Sequence, residues 1–206
     1  MKVLVVAPHP DDETLGAGGT ILKHLAAGDD VFWLVVTAPD PDDWPAEMVE
    51  DSLAQVKAVA AAYPFTNTIE LNLPTTRLDQ LGNRKIIGEF ERVIRDIQPD
   101  RVYSVGDTDA HSDHMVVFEQ LMLALKPFRQ DVKVTEIYAY EALSSTDAGC
   151  GWRAPCVPNT YNDISPYMAR KLEIMKLFRN QLQSDMLPRS LKSITALGRL
   201  RGSTIG

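Results

Sequence analysis

Apolar and polar positions along this 206-residue chain fall into short apolar runs that alternate with stretches of helical period. The valine-rich run at residues 1–7 predicts a strand buried on both faces, because strands covered by helices on both sides read as continuous apolar segments. Residues 31–37 repeat that signature, and 68–73, 101–105 and 132–140 predict three further strands. Between the first two, Leu15, Ile21, Leu22 and Leu25 predict a helix over 14–27, with Gly28 as its stop. His24, mid-helix among leucines, is expected to be an ordinary, partly exposed histidine.

Further helices are predicted over 45–62, 83–97 (ended by Pro99), 114–125, 165–183 and from Pro188 to about residue 200. Strand followed by helix, four times or more, predicts an α/β protein: a Rossmann-like open, mainly parallel sheet with helices on both faces. No repeat or linker interrupts it, so residues 1–206 are expected to form a single domain. Residues 144–163, rich in Ser, Asp, Gly, Pro and Asn, predict an irregular segment on the substrate side.

Composition then narrows the classes of function. With 45% hydrophobic and 24% charged residues the chain is ordinary for a single folded domain. Its 21 Lys and Arg against 28 Asp and Glu give a net charge of −7, which excludes the basic footprint of a nucleic-acid binder. Two cysteines exclude a disulfide scaffold and a four-thiolate zinc site; Cys150 and Cys156 are expected as free thiols, with a local disulfide or a metal site left open. The longest apolar run, at 31–36, is far short of the roughly 20 residues a membrane span needs. The apolar run at 3–6 is cut off by Pro8-His9-Pro10-Asp11-Asp12 too early for a signal peptide, so the cytoplasm is the expected compartment. A homo-oligomer is left open.

Ligands of open α/β sheets sit beyond the carboxyl ends of the strands. Two segments there carry chemistry: Pro8-His9-Pro10-Asp11-Asp12-Glu13 after the first strand, and Asp107 to His114 after the strand at 101–105. Three of the four histidines lie in these two segments. His9 and Asp12 are three apart across a tight turn, and His111 and His114 are one helical turn apart, so each pair can face one cavity. Imidazole and carboxylate donors without thiolate suit Zn2+, Fe2+, Co2+ or Mn2+, zinc being the commonest. Either segment alone is equally a plain surface turn, with Asp113 as a helix cap.

Two rival chemistries fail on the residues. Gly16-Ala17-Gly18-Gly19 is not a dinucleotide fingerprint, because the turn after the strand holds three carboxylates that repel a pyrophosphate. No Gly-x-Ser-x-Gly elbow is present for serine hydrolysis.

The pair Pro-His-Pro-Asp-Asp-Glu and His-Ser-Asp-His resembles the PIG-L/LmbE family of metal-dependent N-deacetylases, as do Thr14 to Gly19, Arg77-Leu78-Asp79, Pro99-Asp100 and Arg201-Gly202. The resemblance implies zinc bound by His9, Asp12 and His114, and Asp11 as general base. It implies that His111 faces the developing oxyanion or acts as general acid, with Asp113 fixing its orientation and charge. It also implies a small-molecule substrate, an N-acetylglucosamine-type sugar or its conjugate. A metal-dependent amidase acting on a non-sugar N-acyl group, and a non-catalytic sugar- or metal-binding relative, are the alternatives. The family pattern usually continues beyond the Arg-Gly-x-x-x-Gly element that here spans 201–206. Arg77, Trp152 and Arg153 are candidate substrate-binding residues, with Tyr161 beside them; a salt bridge for Arg77 and loop anchoring for the others are the competing roles.

Overall fold

The valine runs become the centre of one parallel sheet. The computed structural model describes residues 1–128, 134–149, 151 and 153–206. Five strands, β1 (Lys2–Ala7), β2 (Asp30–Ala38), β3 (Asn67–Pro74), β4 (Arg101–Val105) and β5 (Glu136–Tyr140), lie in the order β3-β2-β1-β4-β5. β1 is central, pairing Val3 with Val31 of β2 and with Arg101 of β4. Val3, Leu4, Val5, Val6 and Ala7 are all buried, as a strand covered on both faces requires.

Crossovers between parallel strands are right-handed, so the direction of travel decides which face each helix covers. The chain steps outward from β1 to β3 through α1 (Gly18–Ala26) and α2 (Ala46–Ala62). It then returns past β1 to β4 and β5 through α3 (Asn83–Ile97) and α4 (Ser112–Ala124), which pack on the opposite face. α5 (Met168–Met175) joins the α1 side, where Arg170 donates to the Ala62 carbonyl at 3.0 Å. α6 (Leu191–Ser203) ends the chain's regular structure. The strand order reverses between β1 and β4, and a crevice opens at their carboxyl ends. Both chemistry-bearing segments of the sequence follow those two strands.

Several elements depart from expectation, each for a local reason. The helix predicted over 14–27 is two pieces: a π turn at Glu13–Ala17, then α1. Ala17, at φ −111° and ψ 0°, breaks the helical phase, and the Leu15 carbonyl is taken by the buried Lys171 ammonium at 2.7 Å. His24 is not partly exposed but 9% accessible, because α1 turns it onto β4, with Nδ1 2.7 Å from Asp29 Oδ2 and Nε2 3.1 Å from the Tyr103 hydroxyl.

The helix predicted over 165–183 is a 3₁₀ turn (Ser165–Tyr167) and α5, which stops at Met175. There the chain tightens through Leu177 N–H to Ile174 and Phe178 N–H to Met175, and Phe178 is drawn into the core. The last helix starts at Leu191 rather than Pro188, because the Ser190 hydroxyl accepts from the Ser193 N–H as its cap. Of the strand predicted at 132–140, residues 132–133 lie outside the described residues. The described residues of 144–163 carry no helix longer than the 3₁₀ turn Asp147–Gly149. Among the described residues, no helix is long and apolar enough to cross a membrane.

The glycines after β1 permit close approach to the sheet. A Cβ on Gly16 would stand 2.1 Å from Tyr140 Cδ2 and 2.8 Å from the Glu141 carbonyl oxygen, while the Tyr140 hydroxyl is fixed by donation to the Val6 carbonyl at 2.8 Å. Gly16→Ala is therefore expected to destabilise the fold by roughly 1–3 kcal/mol through overpacking. A lowered urea midpoint checks this; an unchanged midpoint contradicts it.

Candidate metal centre and active site

The turn after β1 is built around an unusual backbone. Asp11 sits at φ +132°, a region non-glycine residues avoid and that costs roughly 1–3 kcal/mol unless the surroundings enforce it. Here they do: the Asp11 carbonyl accepts from Leu15 N–H at 2.8 Å, and its own N–H donates to Glu13 Oε2 at 3.2 Å. The result points two adjacent carboxylates in different directions. Asp12 folds back to accept from the His9 N–H at 3.0 Å, whereas Asp11 faces Arg189, with Oδ2 3.3 Å from its guanidinium.

The second segment enters from β4. His111 caps α4, its Nδ1 accepting from the Asp113 N–H at 3.2 Å, so the proton of a neutral His111 ring resides on Nε2. One turn later His114 is almost fully buried, with Nδ1 3.0 Å from Asp109 Oδ2. Its Nε2 lies 3.1 Å from His9 Nδ1 and 3.1 Å from Asp12 Oδ2, and Asp12 Oδ2 is 3.4 Å from His9 Nδ1.

This triangle passes a simple test for a metal site. Donors at 2.0–2.2 Å from a tetrahedral ion stand about 3.3–3.6 Å from one another, a little wider than the 3.1–3.4 Å found here. The outer nitrogens of both rings face carboxylates: His9 Nε2 is hydrogen-bonded to Asp113 at 2.9 Å, and His114 Nδ1 lies at ion-pair distance, 3.0 Å, from Asp109 Oδ2. That leaves the two inner nitrogens with lone pairs aimed at one point beside Asp12, the arrangement in which carboxylates orient metal-binding histidines. The described residues thus form a His/carboxylate cluster suited to a metal ion. A second grouping shares the space: ring nitrogens of His9, His111 and His114 all lie within 4.8 Å of one another.

Burial and close charges set the protonation of these groups. Desolvation, reinforced by the neighbouring Asp12 charge, pushes Asp11 up to about 7 despite Arg189. Desolvation acts on Asp12 too, but His114 and His9 outweigh it and hold Asp12 far below the usual carboxylate range. Burial alone would lower His9, yet hydrogen bonds to Asp113 and Asp12 carry it to about 9. His114 is likewise opposed by burial and raised to about 10 by Asp12 and Asp109. His111 has no such partner: burial and the nearby His9 and His114 charges lower it to about 4.

A cavity of about 400 Å³ opens over this cluster, with His9, Asp11, Asp12, His111 and His114 in its floor. Asp113 lies behind them. Its backbone N–H holds His111 Nδ1, while its carboxylate binds His9 Nε2 and the Thr76 N–H (2.6 Å). Arg77 and Arg153 are not among the cavity walls. Arg77 is paired with Asp40 at 2.7 Å and Asp43 at 2.5 Å, the salt-bridge role of its two expected ones. Tyr161 lies in a separate groove, donating to the Pro158 carbonyl, and Trp152 falls outside the described residues, as does Cys150. Cys156 is a free thiol.

The structure adds Asp109, Arg189, Gln181 and Trp44 to the site. Asp109 stood inside the second segment without a role. Trp44 follows β2, so the strand-end rule applied to a third strand would have found it.

Comparison with known proteins agrees with this geometry. The family model described as GlcNAc-PI de-N-acetylase, PIG-L, matches residues 4–125, which contain both segments. An uncharacterized deacetylase, YaiS, of Escherichia coli is 28% identical over 149 residues, covering 69% of this chain and 75% of the relative. A diacetylchitobiose deacetylase of Thermococcus kodakarensis is 27% identical over 90% of this chain and 72% of its own length. A conserved protein of Thermus thermophilus shares the fold, with a TM-score of 0.79 at 22% identity over 99% of this chain and 89% of that one. The two strand-end segments, the sheet that brings them together and a family match over more than half its length show that this chain belongs to the PIG-L family.

Proposed function

We propose that this protein is a metal-dependent hydrolase that removes the N-acetyl group from an N-acetylglucosamine-type amino sugar or its conjugate. The observation that carries this reading is the convergence of His9 Nδ1, Asp12 Oδ2 and His114 Nε2 with a separate carboxylate, Asp11, beside them. The family membership and the deacetylase relatives support it.

His9, Asp12 and His114 would hold the ion, zinc first, with Fe2+, Co2+ and Mn2+ also suited to such donors. A divalent ion there supplies Lewis acidity toward water and the amide carbonyl. Asp11, raised to about 7, is matched to accept a proton from water near neutral pH and to return it to the departing nitrogen. Water adds to the acetyl carbon, the C–N bond breaks, and acetate and a free amine result. His111, neutral and with its proton on Nε2, acts as a hydrogen-bond donor to the carbonyl oxygen as negative charge develops there. Asp113 and Asp109 orient His9 and His114, and Arg189 keeps the Asp11 carboxylate aimed away from the metal donors. The strained Asp11 backbone favours an enzyme over a binding module, which has no use for a second, differently aimed carboxylate.

Acetate release from N-acetylglucosamine or N,N′-diacetylchitobiose is the direct test; it is expected to vanish with a chelator and return with Zn2+. Activity indifferent to the chelator would overturn the reading. Asp11→Asn is expected to retain metal while losing about 10²–10⁴-fold in turnover, whereas His114→Ala loses the metal itself. Metal content and initial rates of the two variants separate these roles.

A proton count tests the ligand set. His9 and His114, at about 9 and 10, both carry protons at pH 7 in the metal-free protein, and a ligating imidazole must be neutral. Metal uptake at pH 7 is therefore expected to release about two protons, and affinity to fall as pH drops. Calorimetry in buffers of different ionisation enthalpy measures the number; release of none contradicts the assignment.

A further inference from the structure

The catalytic cavity ends against a partition. Its metal donors follow β1 and β4, and the strand order puts β2 on one side of that pair and β5 on the other. On the β2 side stand Trp44 and Met48. Arg189 belongs to this side too, since it donates to Gln181 at 2.6 Å, and Asp51 of α2 accepts from Arg179 at 2.8 Å and from the neighbouring Asn180. On the β5 side the lining includes Leu143, just past that strand, and Leu15 of the π turn.

Beyond these two leucines lies a second groove of about 1250 Å³. Leu15 and Leu143 line both spaces, and among the described residues no other does. They are therefore what separates the cavity from the groove. Past them, Ile164, Met168, Ile194 and Leu197 give the groove apolar surface.

The partition is held firmly. Leu15 is fixed through both of its backbone polar groups, its N–H donating to the Asp11 carbonyl at 2.8 Å and its carbonyl accepting from Lys171 Nζ at 2.7 Å. Leu143 sits in a tight turn closed by donation from Thr146 N–H to the Ala142 carbonyl at 2.9 Å. The Ser145 and Thr146 hydroxyls donate to Asp109 Oδ2 at 2.9 and 3.0 Å, which ties this turn to the carboxylate beside His114. Next to the leucines the two segments approach so closely that a Cβ on Gly16 would meet Tyr140.

Side chains so placed face the acyl half of the substrate. Asp11 returns a proton to the departing nitrogen, and His111 donates to the carbonyl oxygen. The sugar is joined through that nitrogen, so it lies toward Asp11 and Arg189, on the β2 side. The acetyl methyl takes the remaining direction, toward Leu15 and Leu143. A methyl gains from an apolar wall there, whereas each further methylene has to displace a side chain whose backbone is pinned.

We infer that Leu15 and Leu143 set the acyl-chain length this protein accepts, restricting it to acetyl by closing off the neighbouring groove. This rests on the deacetylase reading and adds the acyl selectivity of the same site. Release of glucosamine, the common product, is compared for N-acetyl-, N-propionyl-, N-butyryl- and N-hexanoylglucosamine. The wild-type protein is expected to lose about tenfold or more in kcat/KM from acetyl to butyryl.

Leu143→Ala is expected to narrow that gap to within about threefold by raising the butyryl and hexanoyl rates, with metal content unchanged. Leu15→Val, a milder change at a buried position, is expected to shift the preference the same way by a smaller factor. Met48→Ala, which enlarges the β2 side instead, is expected to leave the acetyl-to-butyryl ratio at its wild-type value. A wild-type protein indifferent to acyl length overturns the inference, as do folded, metal-loaded Leu143→Ala and Leu15→Val variants that keep the wild-type ratio. Either result leaves the deacetylase reading standing as long as the acetyl sugar is hydrolysed. Glucosamine from none of the four, and no acetate from N,N′-diacetylchitobiose, overturns that reading and this inference with it.

Discussion

Three electron-pair donors held within 3.1–3.4 Å of one another, His9 Nδ1, Asp12 Oδ2 and His114 Nε2, impose a constraint on everything around them. Without a cation between them, the surrounding carboxylates Asp12, Asp113 and Asp109 favour protonated rings and raise His9 to about 9 and His114 to about 10, although the His114 charge opposes that of His9. The fold meets the constraint by topology. Reversal of strand order between β1 and β4 places the two turns side by side, and Asp113 and Asp109 fix the outer nitrogens so that the inner ones face inward.

The same geometry gives two neighbouring aspartates opposite properties. Asp12 faces the histidines and stays ionised; Asp11, swung away by a φ of +132°, is buried beside it and raised to about 7. Adjacent carboxylates whose environments drive them apart are a recurrent way to obtain an ion ligand and a proton acceptor from one short segment. The Glu13–Ala17 π turn belongs to this device, since it lets the chain leave Asp11 and Asp12 on the cavity side and still enter α1, with Lys171 taking up the Leu15 carbonyl.

What could be read from the chain and what could not divide along sequence distance. The buried strands announce themselves as valine runs, and the two turns as histidine and aspartate clusters directly after them, so fold class and the groups in the cavity floor were legible. Arg189 was not: it meets Asp11 across 178 residues, a contact that leaves no local pattern. Nor was Trp44, since the residues that line the cavity with it, among them Asn180, Gln181 and Arg189, come from far along the chain. For Arg77 the sequence leaves a substrate contact and a salt bridge equally open, and the two aspartates that pair with it come from the β2 loop, more than thirty residues away. The end of α5 at Met175 was likewise set by tertiary pull, through Phe178 and the Asp51 contacts, against a helical period that continued.

The ligand set is the point on which the rest turns, because His9 and His114 share space with both Asp12 and His111. Anomalous diffraction at the zinc edge from crystals of the metal-loaded protein addresses it directly. A single ion about 2.0–2.2 Å from His9 Nδ1, an Asp12 oxygen and His114 Nε2, with Asp11 and His111 uncoordinated, is the predicted result. An ion held by the three histidines with Asp12 free, or no ion between the two turns, would contradict it.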